Sequence, residues 1–269
     1  MIKNSIKFVF VFGLLLNFLS CSNEPLEGEF PENVNPDNPT NPGTPTEPGE
    51  GSTGDYWPTA IDNIWYYETE NADGSINEND YQILSETSVD GLPAYELDEF
   101  FVASQLESAG AAGEVTGYLI KNEGNYIFYN PGFEMVEEGA ELSLSEFSYV
   151  FMKDYLEEGE SFTESFVFNF TSSFDGGGEI GGFEPIEIEI EADLVITIVE
   201  RDFEMTINEE TYQNVIHLMI ESTSTDSEFG ESFTYTTEVY FAEDIGPIKI
   251  LDENETEGFD SEIISYELN

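Results

Sequence analysis

The strongest constraint on the fold is the alternation of apolar and polar residues between Phe162 and Phe174. A period of two places alternate side chains on one face of a β-strand, because successive side chains point to opposite faces. Ser232–Phe241 and Tyr212–Ile220 alternate in the same way, and His217 lies opposite the apolar face of the latter. The even positions of the first stretch are Phe162, Glu164, Phe166, Phe168, Phe170, Ser172 and Phe174.

Shorter apolar segments bounded by turn residues predict further strands. Ala72-Asp73-Gly74-Ser75 and Asp90-Gly91 are typical turn sequences, because Gly and Asp accept the backbone conformations that tight turns require. Long helical patterns are absent from the sequence, although Pro58–Asn63 and Leu142–Leu156 are candidates for a helical turn. The predicted strands are Ile64–Glu68, Tyr81–Leu84, Ala94–Val102, Val115–Lys121, Tyr126–Tyr129, Ile245–Leu251 and Ile263–Leu268.

The segment Ile186–Asn208 indicates how these strands are arranged. Its even positions are apolar from Ile186 to Ile198, whereas from Val195 onward the odd positions become apolar. A buried face cannot change sides along a straight strand, so the segment must contain a bulge or a break. Bulges of this kind belong to strongly curved sheets. We therefore expect an all-β fold with little helix: one strongly curved antiparallel sheet, shaped as a half-barrel or a closed barrel.

The first 20 residues form a separate unit with the pattern of a signal peptide. Lys3 and Lys7 give a positive start, and Phe8–Phe18 is an apolar run too short to span a bilayer as a mature helix. The single cysteine of the chain follows in Phe18-Leu19-Ser20-Cys21. This sequence resembles the lipobox at which bacterial lipoproteins are acylated and cleaved, although Phe18 stands where Leu is usual.

Cys21 is therefore predicted to carry fatty acyl chains such as palmitate and to anchor the protein to a membrane. Two acyl chains suffice for stable anchoring. The alternative is an ordinary secretory signal followed by an unpaired cysteine, but the position and uniqueness of Cys21 favour lipidation. The acidic sequence that starts at Ser22-Asn23-Glu24 is similar to signals that send lipoproteins to the outer face of the outer membrane. We expect the cell surface, with the periplasmic face as the alternative.

Residues 21–55 are expected to form a Pro-rich disordered tether. Proline fixes φ and removes a backbone donor, so about 30 such residues reach on the order of 90 Å when extended. Residues 56–269 keep a uniform composition, which fits one acidic all-β domain. The prolines of the tether are Pro25, Pro31, Pro36, Pro39, Pro42, Pro45 and Pro48.

The charge of the chain excludes several classes of protein. Removal of residues 1–20 leaves four basic residues against 58 acidic ones, a formal charge of −54. Nucleic-acid binding needs a basic patch, which four scattered cations cannot form. One Cys and one His cannot build a disulfide framework or a Cys/His zinc site. We expect no cofactor and at most weak Ca²⁺ binding at Asp175–Glu179 or Asp252–Glu255; a hairpin tip and a solvated acidic loop are the preferred interpretation of these two segments.

The sequence offers little support for an enzyme. A Ser-His-Asp or Cys-His centre would have to use His217, the only histidine, which is expected to be a half-exposed strand residue. Arg201 lies beside the inferred bulge and is expected to pair on the surface with Glu200 or Asp202. Paired carboxylates hydrolyse glycosides when they lie about 5–10 Å apart across a cleft, which no sequence can show. We assign no catalytic residue and expect no enzyme; a carboxylate-based hydrolase is a distant alternative.

The aromatic strand faces suggest a binding function instead. The concave side of a curved sheet must be filled by side chains, by a covering element or by a ligand. Phe166, Phe168 and Phe170 are therefore candidates for an apolar ligand site, and an ordinary aromatic core is the alternative. Two classes stay open: an envelope or cell-surface interaction module for a protein or glycan, which we favour, and a carrier or sensor of an apolar ligand.

Three segments resemble a family of β-rich cell-envelope lipoproteins of unknown function, the TapB-like group. Tyr56–Tyr67 is similar to the family's opening strand, Thr211–His217 to its Thr-aromatic-x-Asn-Val strand, and Glu238–Lys249 to its closing strand pair. The sequence departs from the pattern at Asp62 and Asp244, where Gly is usual, and at Pro247. The resemblance implies a curved antiparallel sheet and no catalytic residues.

Overall fold

The computed structural model describes residues 51–98, 117–137, 140–174, 186–226, 232–252 and 258–269. The predicted signal peptide, Cys21 and the tether up to residue 50 lie outside the described residues. So do the acidic loop segments 175–179 and 253–255 and the ends of two predicted strands, residues 99–102 and 115–116. Within the described ranges, no helix is long and apolar enough to cross a membrane.

The described residues form a single antiparallel sheet of 14 strands and contain no helix. The strand order across the sheet is β6-β7-β9-β10-β11-β12-β13-β14-β1-β2-β3-β4-β5-β8. In chain order the strands are β1 (Ile64–Asn71), β2 (Ile76–Val89), β3 (Leu92–Leu97), β4 (Gly117–Asn122), β5 (Asn125–Asn130), β6 (Phe133–Glu137), β7 (Ala140–Leu144), β8 (Phe147–Lys153), β9 (Ser161–Phe174), β10 (Ile186–Ile207), β11 (Glu210–Asp226), β12 (Ser232–Ala242), β13 (Gly246–Asp252) and β14 (Phe259–Glu267).

The all-β prediction is confirmed. Within the described residues, every predicted strand coincides with a strand of the structure, except at the end residues Asp98, Ile245 and Leu268. The predicted helical turn in Leu142–Leu156 is wrong, because this segment contains the end of β7 and all of β8. Its odd positions Phe147, Tyr149 and Phe151 are buried on one side of β8. Val150 and Met152 are also buried, so the strand is apolar on both faces and lacks visible alternation. Pro58–Asn63 holds a turn and no helix.

The predicted bulge in β10 is present. Its register with β11 shifts between Ile198 and Glu200, between Glu200 and Phe203, and again between Phe203 and Met205. The buried face changes sides here and not at Val195, which is 39% exposed. Asp202 has φ of 58°, a left-handed backbone conformation, and it lies within the register shift between Glu200 and Phe203.

The sheet curls until its last strand lies over its middle strands. In the strand order, β8 stands at one end and β12 lies eight places away. Nevertheless, the rings of Phe151 in β8 and Phe241 in β12 are 6.2 Å apart, and those of Phe147 in β8 and Phe166 in β9 are 5.2 Å apart. The predicted strong curvature is therefore confirmed. The sheet is not closed into a barrel, since β8 and β9 are not paired.

Side chains of β9 pack against the edge of β8. Backbone hydrogen bonds between these two strands would close the sheet into a barrel, but the strands are not paired. Glu164 faces inward and accepts a hydrogen bond from the backbone of Val150. On one side of Glu164, Phe162 lies beneath the ammonium of Lys153, 4.4 Å from the ring centroid. On the other side Phe166 stacks on rings of β8. An inward-pointing charge is one way in which proteins blunt an edge strand.

Candidate functional site

Ser52–Trp57, which we term the strap, joins the preceding chain to the sheet. Its first residues are held by Asp154, which is fully buried just after β8. The Asp154 carboxylate accepts hydrogen bonds from Ser52 Oγ at 2.5 Å and from the Thr53 backbone N–H at 3.2 Å. Thr53 Oγ1 in turn donates to the Asp154 carbonyl oxygen at 2.9 Å. Two polar residues that carry no strand pattern are thus fixed by one buried acid.

Arg201, in the bulge of β10, also binds the segment around Asp154. Its guanidinium donates to the backbone carbonyl oxygens of Asp154, at 3.2 Å, and of Leu156, and it lies 3.4 Å from Thr53 Oγ1. The predicted surface pair with Asp202 is present, with Nε 3.1 Å from Oδ2. This pair is expected to contribute less to stability than the hydrogen bonds to the two carbonyl oxygens, because the Asp202 side chain is 61% exposed whereas that of Arg201 is 11% exposed.

The second half of the strap is anchored to β4 and β5. Lys121 Nζ donates to Asp55 Oδ1 at 2.8 Å and to the Trp57 carbonyl oxygen at 3.0 Å. Tyr126 Oη accepts from the Tyr56 N–H at 2.8 Å and donates to the Gly54 carbonyl oxygen at 3.3 Å.

The strap ends inside the core. Trp57 is fully buried, and its ring lies edge-on to Trp65 at 6.2 Å and to Phe151 at 6.1 Å. Residues 52–55, which composition alone assigns to the tether, are therefore bound to the sheet.

Burial raises the pKa of Asp154 above its ordinary value. The hydrogen bonds from Ser52 and Thr53 and the charge of Arg201 lower it in part, and Asp55 raises it further. Burial likewise raises the pKa of Glu164, against the Val150 hydrogen bond and the charge of Lys153. These two carboxyls with raised pKa values make structural contacts: Asp154 binds the strap, and Glu164 accepts the Val150 hydrogen bond at the edge of β8.

The three phenylalanines predicted to line a ligand site share one face of β9 but differ in their surroundings. Phe168 is 7% exposed and belongs to the core. Phe166 is half-buried, and its ring is parallel to that of Tyr149 at 4.8 Å and to that of Phe147 at 5.2 Å. Phe170 is half-buried and lies opposite Ile188 of β10. The structure thus places Phe166 and Phe168 in one aromatic cluster and Phe170 at its margin.

Tyr149 is the residue of this cluster that sequence reasoning missed. Its hydroxyl is buried, and within the described part of the chain it has no hydrogen-bond partner. Burial raises the pKa of Tyr149 well above the ordinary tyrosine value, so the hydroxyl stays protonated. The alternation of Phe147, Tyr149 and Phe151 was the available signal, but the apolar Val150 and Met152 on the other face concealed it.

His217 lies on the outer face of β11, as predicted, but it is engaged on two sides. Its Nε2 is 2.8 Å from Glu238 Oε2, and its ring stacks on Tyr240 with centroids 4.1 Å apart. Tyr240 Oη donates to the same Glu238 oxygen at 3.0 Å. His217, Glu238 and Tyr240 therefore form one group of mutually contacting side chains between β11 and β12.

Each of the four cations of the domain contacts an internal partner. Lys249 Nζ lies 2.8 Å from Asp260 Oδ2 and 2.7 Å from Glu262 Oε1. These two carboxylates raise the pKa of Lys249 although burial alone would lower it. Lys121 and Arg201 bind the strap, and Lys153 lies over Phe162. Among the described residues, no group of three or more His, Cys, Asp or Glu side chains is placed to hold a metal ion.

Two of the segments that carry the family resemblance meet at one contact. Trp65 Nε1 donates to the Ile245 carbonyl oxygen at 2.6 Å. Gly246 has φ of 115°, and a Cβ there would lie 3.0 Å from Trp65 Nε1. Asp62 and Asp244, which stand where Gly is usual, have φ of 67° and 62°. Both positions keep the left-handed backbone that Asp tolerates better than most residues.

No family model and no curated protein matches the chain. Among solved structures, it is similar to a candidate lipoprotein from Parabacteroides distasonis, with 7% identity, a TM-score of 0.48 and 80% of this chain aligned to 99% of that one. It is also similar to a candidate exported protein with a YmcC-like fold from Bacteroides fragilis, with 10% identity, a TM-score of 0.42 and 80% of this chain aligned to 100% of that one.

Proposed function

We propose that this protein is a lipid-anchored lipoprotein of the outer membrane, displayed on the cell surface, whose β domain acts by binding. The observation that carries the proposal is the strap. A Pro-rich segment that follows a lipobox-like cysteine leads into six residues that are bound to buried groups of the sheet. The strap therefore fixes the point on the folded domain at which the tether leaves it.

The strap lies at one end of the sheet. It contacts the sheet near Asp154, at the start of β5 and at the turn between β12 and β13. The opposite end holds the start of β12 at Ser232 and the start of β10 at Ile186. Ten residues of strand span about 33 Å. The far ends of β9–β12 therefore lie roughly that distance from the point where the tether leaves the domain, and the proposal assigns the partner to this far end.

The charge distribution favours a neutral or cationic partner. The described cations are all engaged with the protein itself, so an approaching molecule meets carboxylates first. A field of this sign repels polyanions and attracts cations, and salt of about 0.1 M screens it beyond roughly 10 Å. An envelope protein or an uncharged glycan fits this surface.

Binding without catalysis is part of the proposal. Displaced pKa values are a common mark of catalytic carboxyls, but structural networks produce them as well. The structural explanation accounts for Asp154, which holds the strap, and for Glu164, which caps Val150. His217 is occupied by Glu238 and Tyr240. The resemblance to the TapB-like lipoproteins, which has no catalytic residues to transfer, points the same way.

The anchor is tested by growing a Gram-negative host that expresses the full chain with labelled palmitate. The wild-type protein is expected to carry the label, Cys21→Ser to lose it, and Ser22→Ala to keep it. Antibody access on intact cells then separates surface display from the periplasmic face. An unlabelled wild-type protein, or a label retained by Cys21→Ser, would contradict the anchor.

The second candidate function, carriage of an apolar ligand, is favoured by one observation. Tyr149 buries a hydroxyl without a partner among the described residues, beside the aromatic side chains of β9. Buried polar groups are hydrogen-bonded in the large majority of cases, so an exception needs an explanation.

A further inference from the structure

The strand β6 forms an edge of the sheet with one open side. The strand order places β6 at the end opposite to β8, and among the described residues only β7 pairs with it. An edge strand presents a row of backbone N–H and C=O groups that can pair with another chain. This edge lies at the far end of the sheet from the strap, because β7 in turn pairs with the last residues of β9.

A hydrogen bond at the end of β7 shows how the backbone of that strand is oriented. The Ser145 N–H donates to the Asn169 carbonyl oxygen of β9 at 2.9 Å. In an antiparallel sheet, the backbone groups of successive residues point alternately to the two neighbouring strands. The backbone groups of Leu142 and Leu144 therefore point away from β9 and towards β6.

The same alternation shows which residues of β6 face the open side. The β6 partners of Leu142 and Leu144 are Met135 and Phe133, whose backbone groups therefore point to β7. The residues between and after them have the opposite orientation. The N–H and C=O groups of Glu134 and Val136 consequently point to the open side of the sheet.

The two edges of the sheet differ in how they are protected. The edge of β8 is met by Glu164, which accepts a hydrogen bond from the Val150 backbone, and by the ring of Phe166. The strand β6 contains no proline and no lysine, and its register with β7 has no bulge. Proline, lysine and bulges are among the means by which natural proteins keep an edge strand from pairing. The edge of β6 is therefore regular enough to accept a further strand.

The start of β6 is held by the turn that precedes it. The buried Asn130 side chain accepts a hydrogen bond from the Gly132 N–H at 2.7 Å. Gly132 has φ of 76°, and a Cβ there would lie 2.5 Å from the Leu144 carbonyl oxygen. The next residue, Phe133, packs against the core. A strand that is fixed in this way loses little conformational freedom when it binds, which favours affinity.

The charge beside the open edge favours a cationic partner. Glu134 is exposed, and Glu141 of β7 is exposed on the same face of the sheet. Within the described ranges, neither carboxylate forms an ion pair. On the other face, Phe133 is half-buried. A strand in which cations alternate with apolar residues matches both faces, whereas a second copy of this chain would bring another strongly negative domain.

We propose that the open edge of β6 binds an extended cationic segment of an envelope protein, which adds to the sheet as a further strand through the backbone groups of Glu134 and Val136. The cations of the segment lie beside Glu134, and its apolar residues lie beside Phe133. This inference rests on the proposed binding function, and it names the site and the class of partner. Main-chain hydrogen bonds supply affinity in this mode of recognition, and the alternating side chains supply specificity.

The test uses a peptide of alternating lysine and valine with blocked ends, and a peptide of alternating glutamate and valine as the comparison. The protein is the mature chain with Cys21→Ser, and amide hydrogen exchange is measured for each residue. In the free protein, the amides of Glu134 and Val136 are expected to exchange rapidly, whereas those of Phe133 and Met135 are protected by β7. The lysine–valine peptide is expected to slow the exchange of Glu134 and Val136 at least about tenfold, and the glutamate–valine peptide to leave it unchanged.

Three substitutions separate strand addition from general attraction to a negative domain. Val136→Pro removes an N–H that points to the open side and should weaken binding of the lysine–valine peptide about tenfold, the effect of one lost hydrogen bond. Protection of the Met135 amide in this variant shows whether β6 and β7 are still paired. Glu134→Gln should weaken binding about two- to fivefold, the effect of one exposed ion pair. Glu189→Gln removes the same charge from the exposed face of β10 and should leave affinity unchanged.

Unchanged exchange of Glu134 and Val136 at millimolar lysine–valine peptide would overturn the inference, whatever the variants do. Equal affinity of wild type and a Val136→Pro variant in which β6 and β7 are paired would also overturn it, because charge alone would then explain binding. Protection that rises with protein concentration in the absence of peptide would assign the edge to a second copy instead. The anchor and the surface display are measured independently by palmitate labelling and antibody access, so failure of this site is distinguishable from failure of the proposed lipoprotein function.

Discussion

Arg201→Met is expected to destabilise the domain by about 3 kcal/mol, although the residue lies in an irregular part of β10. The substitution keeps the apolar stem and removes the guanidinium that donates to the carbonyl oxygens of Asp154 and Leu156. A hydrogen bond from a charged donor contributes about 1.5–3 kcal/mol, and losing it leaves a covered carbonyl unpaired. Two such bonds, with some replacement by water at an 11% exposed side chain, give the stated loss.

Thermal unfolding of the mature chain measures this effect. For a domain of this size about 1 kcal/mol shifts the Tm by roughly 2–4 °C, so a fall of about 6–12 °C is expected. Arg201→Lys keeps the charge but cannot serve both carbonyls, and an intermediate loss is expected. Asp202→Asn removes only the exposed ion pair and tolerates the positive φ, so it should cost less than about 1 kcal/mol. A fall below 2 °C for Arg201→Met, or a loss as large for Arg201→Lys, would refute the argument.

Three further predictions concern pH, the edge of β8 and a turn. Burial raises the pKa of Asp154 and of Glu164, so the folded state holds their protons more tightly than the unfolded state does, and the thermal unfolding midpoint should rise as pH falls from 7 towards about 4. Asp154→Asn should flatten this rise. A wild-type midpoint that falls over this pH range would contradict the prediction. Glu164→Ala should speed amide exchange at Val150 while Glu164→Gln preserves protection; equal rates would exclude the cap. Gly246→Ala, at φ of 115° and against Trp65, should cost at least about 1 kcal/mol in denaturant unfolding, and a neutral effect would contradict the close approach.

The strands that the sequence predicts are those with one buried face. Phe162–Phe174 alternates because one side of β9 meets the core and the other faces water. The segment that became β8 escaped detection because it is buried on both faces, and a continuous apolar run does not distinguish a strand from a helix. The bulge in β10 was predictable, since only an irregular strand can change its buried side.

The long-range contacts of Arg201, Ser52 and Thr53 could not be predicted from the sequence for a different reason. Arg201 has acidic neighbours in sequence, and its main acceptors lie 45 and 47 residues away. Ser52 and Thr53 have no apolar pattern, so nothing local separates them from the tether. Tyr149 was hidden in the same way, because an unpaired hydroxyl is a property of three-dimensional packing. Contacts of this range depend on the topology and become visible only once the strand order is known.

Amide hydrogen exchange in the mature chain tests the central claim most directly, namely that the tether is built into the core through the strap. The account predicts that the Tyr56 amide, which donates to Tyr126 Oη, is protected nearly as strongly as Ile216 in β11. The Thr53 amide, bound to Asp154, should show intermediate protection. Exchange of Tyr56 at the rate of the Pro-rich residues before Gly51 would mean that the strap is not attached, and would contradict the account.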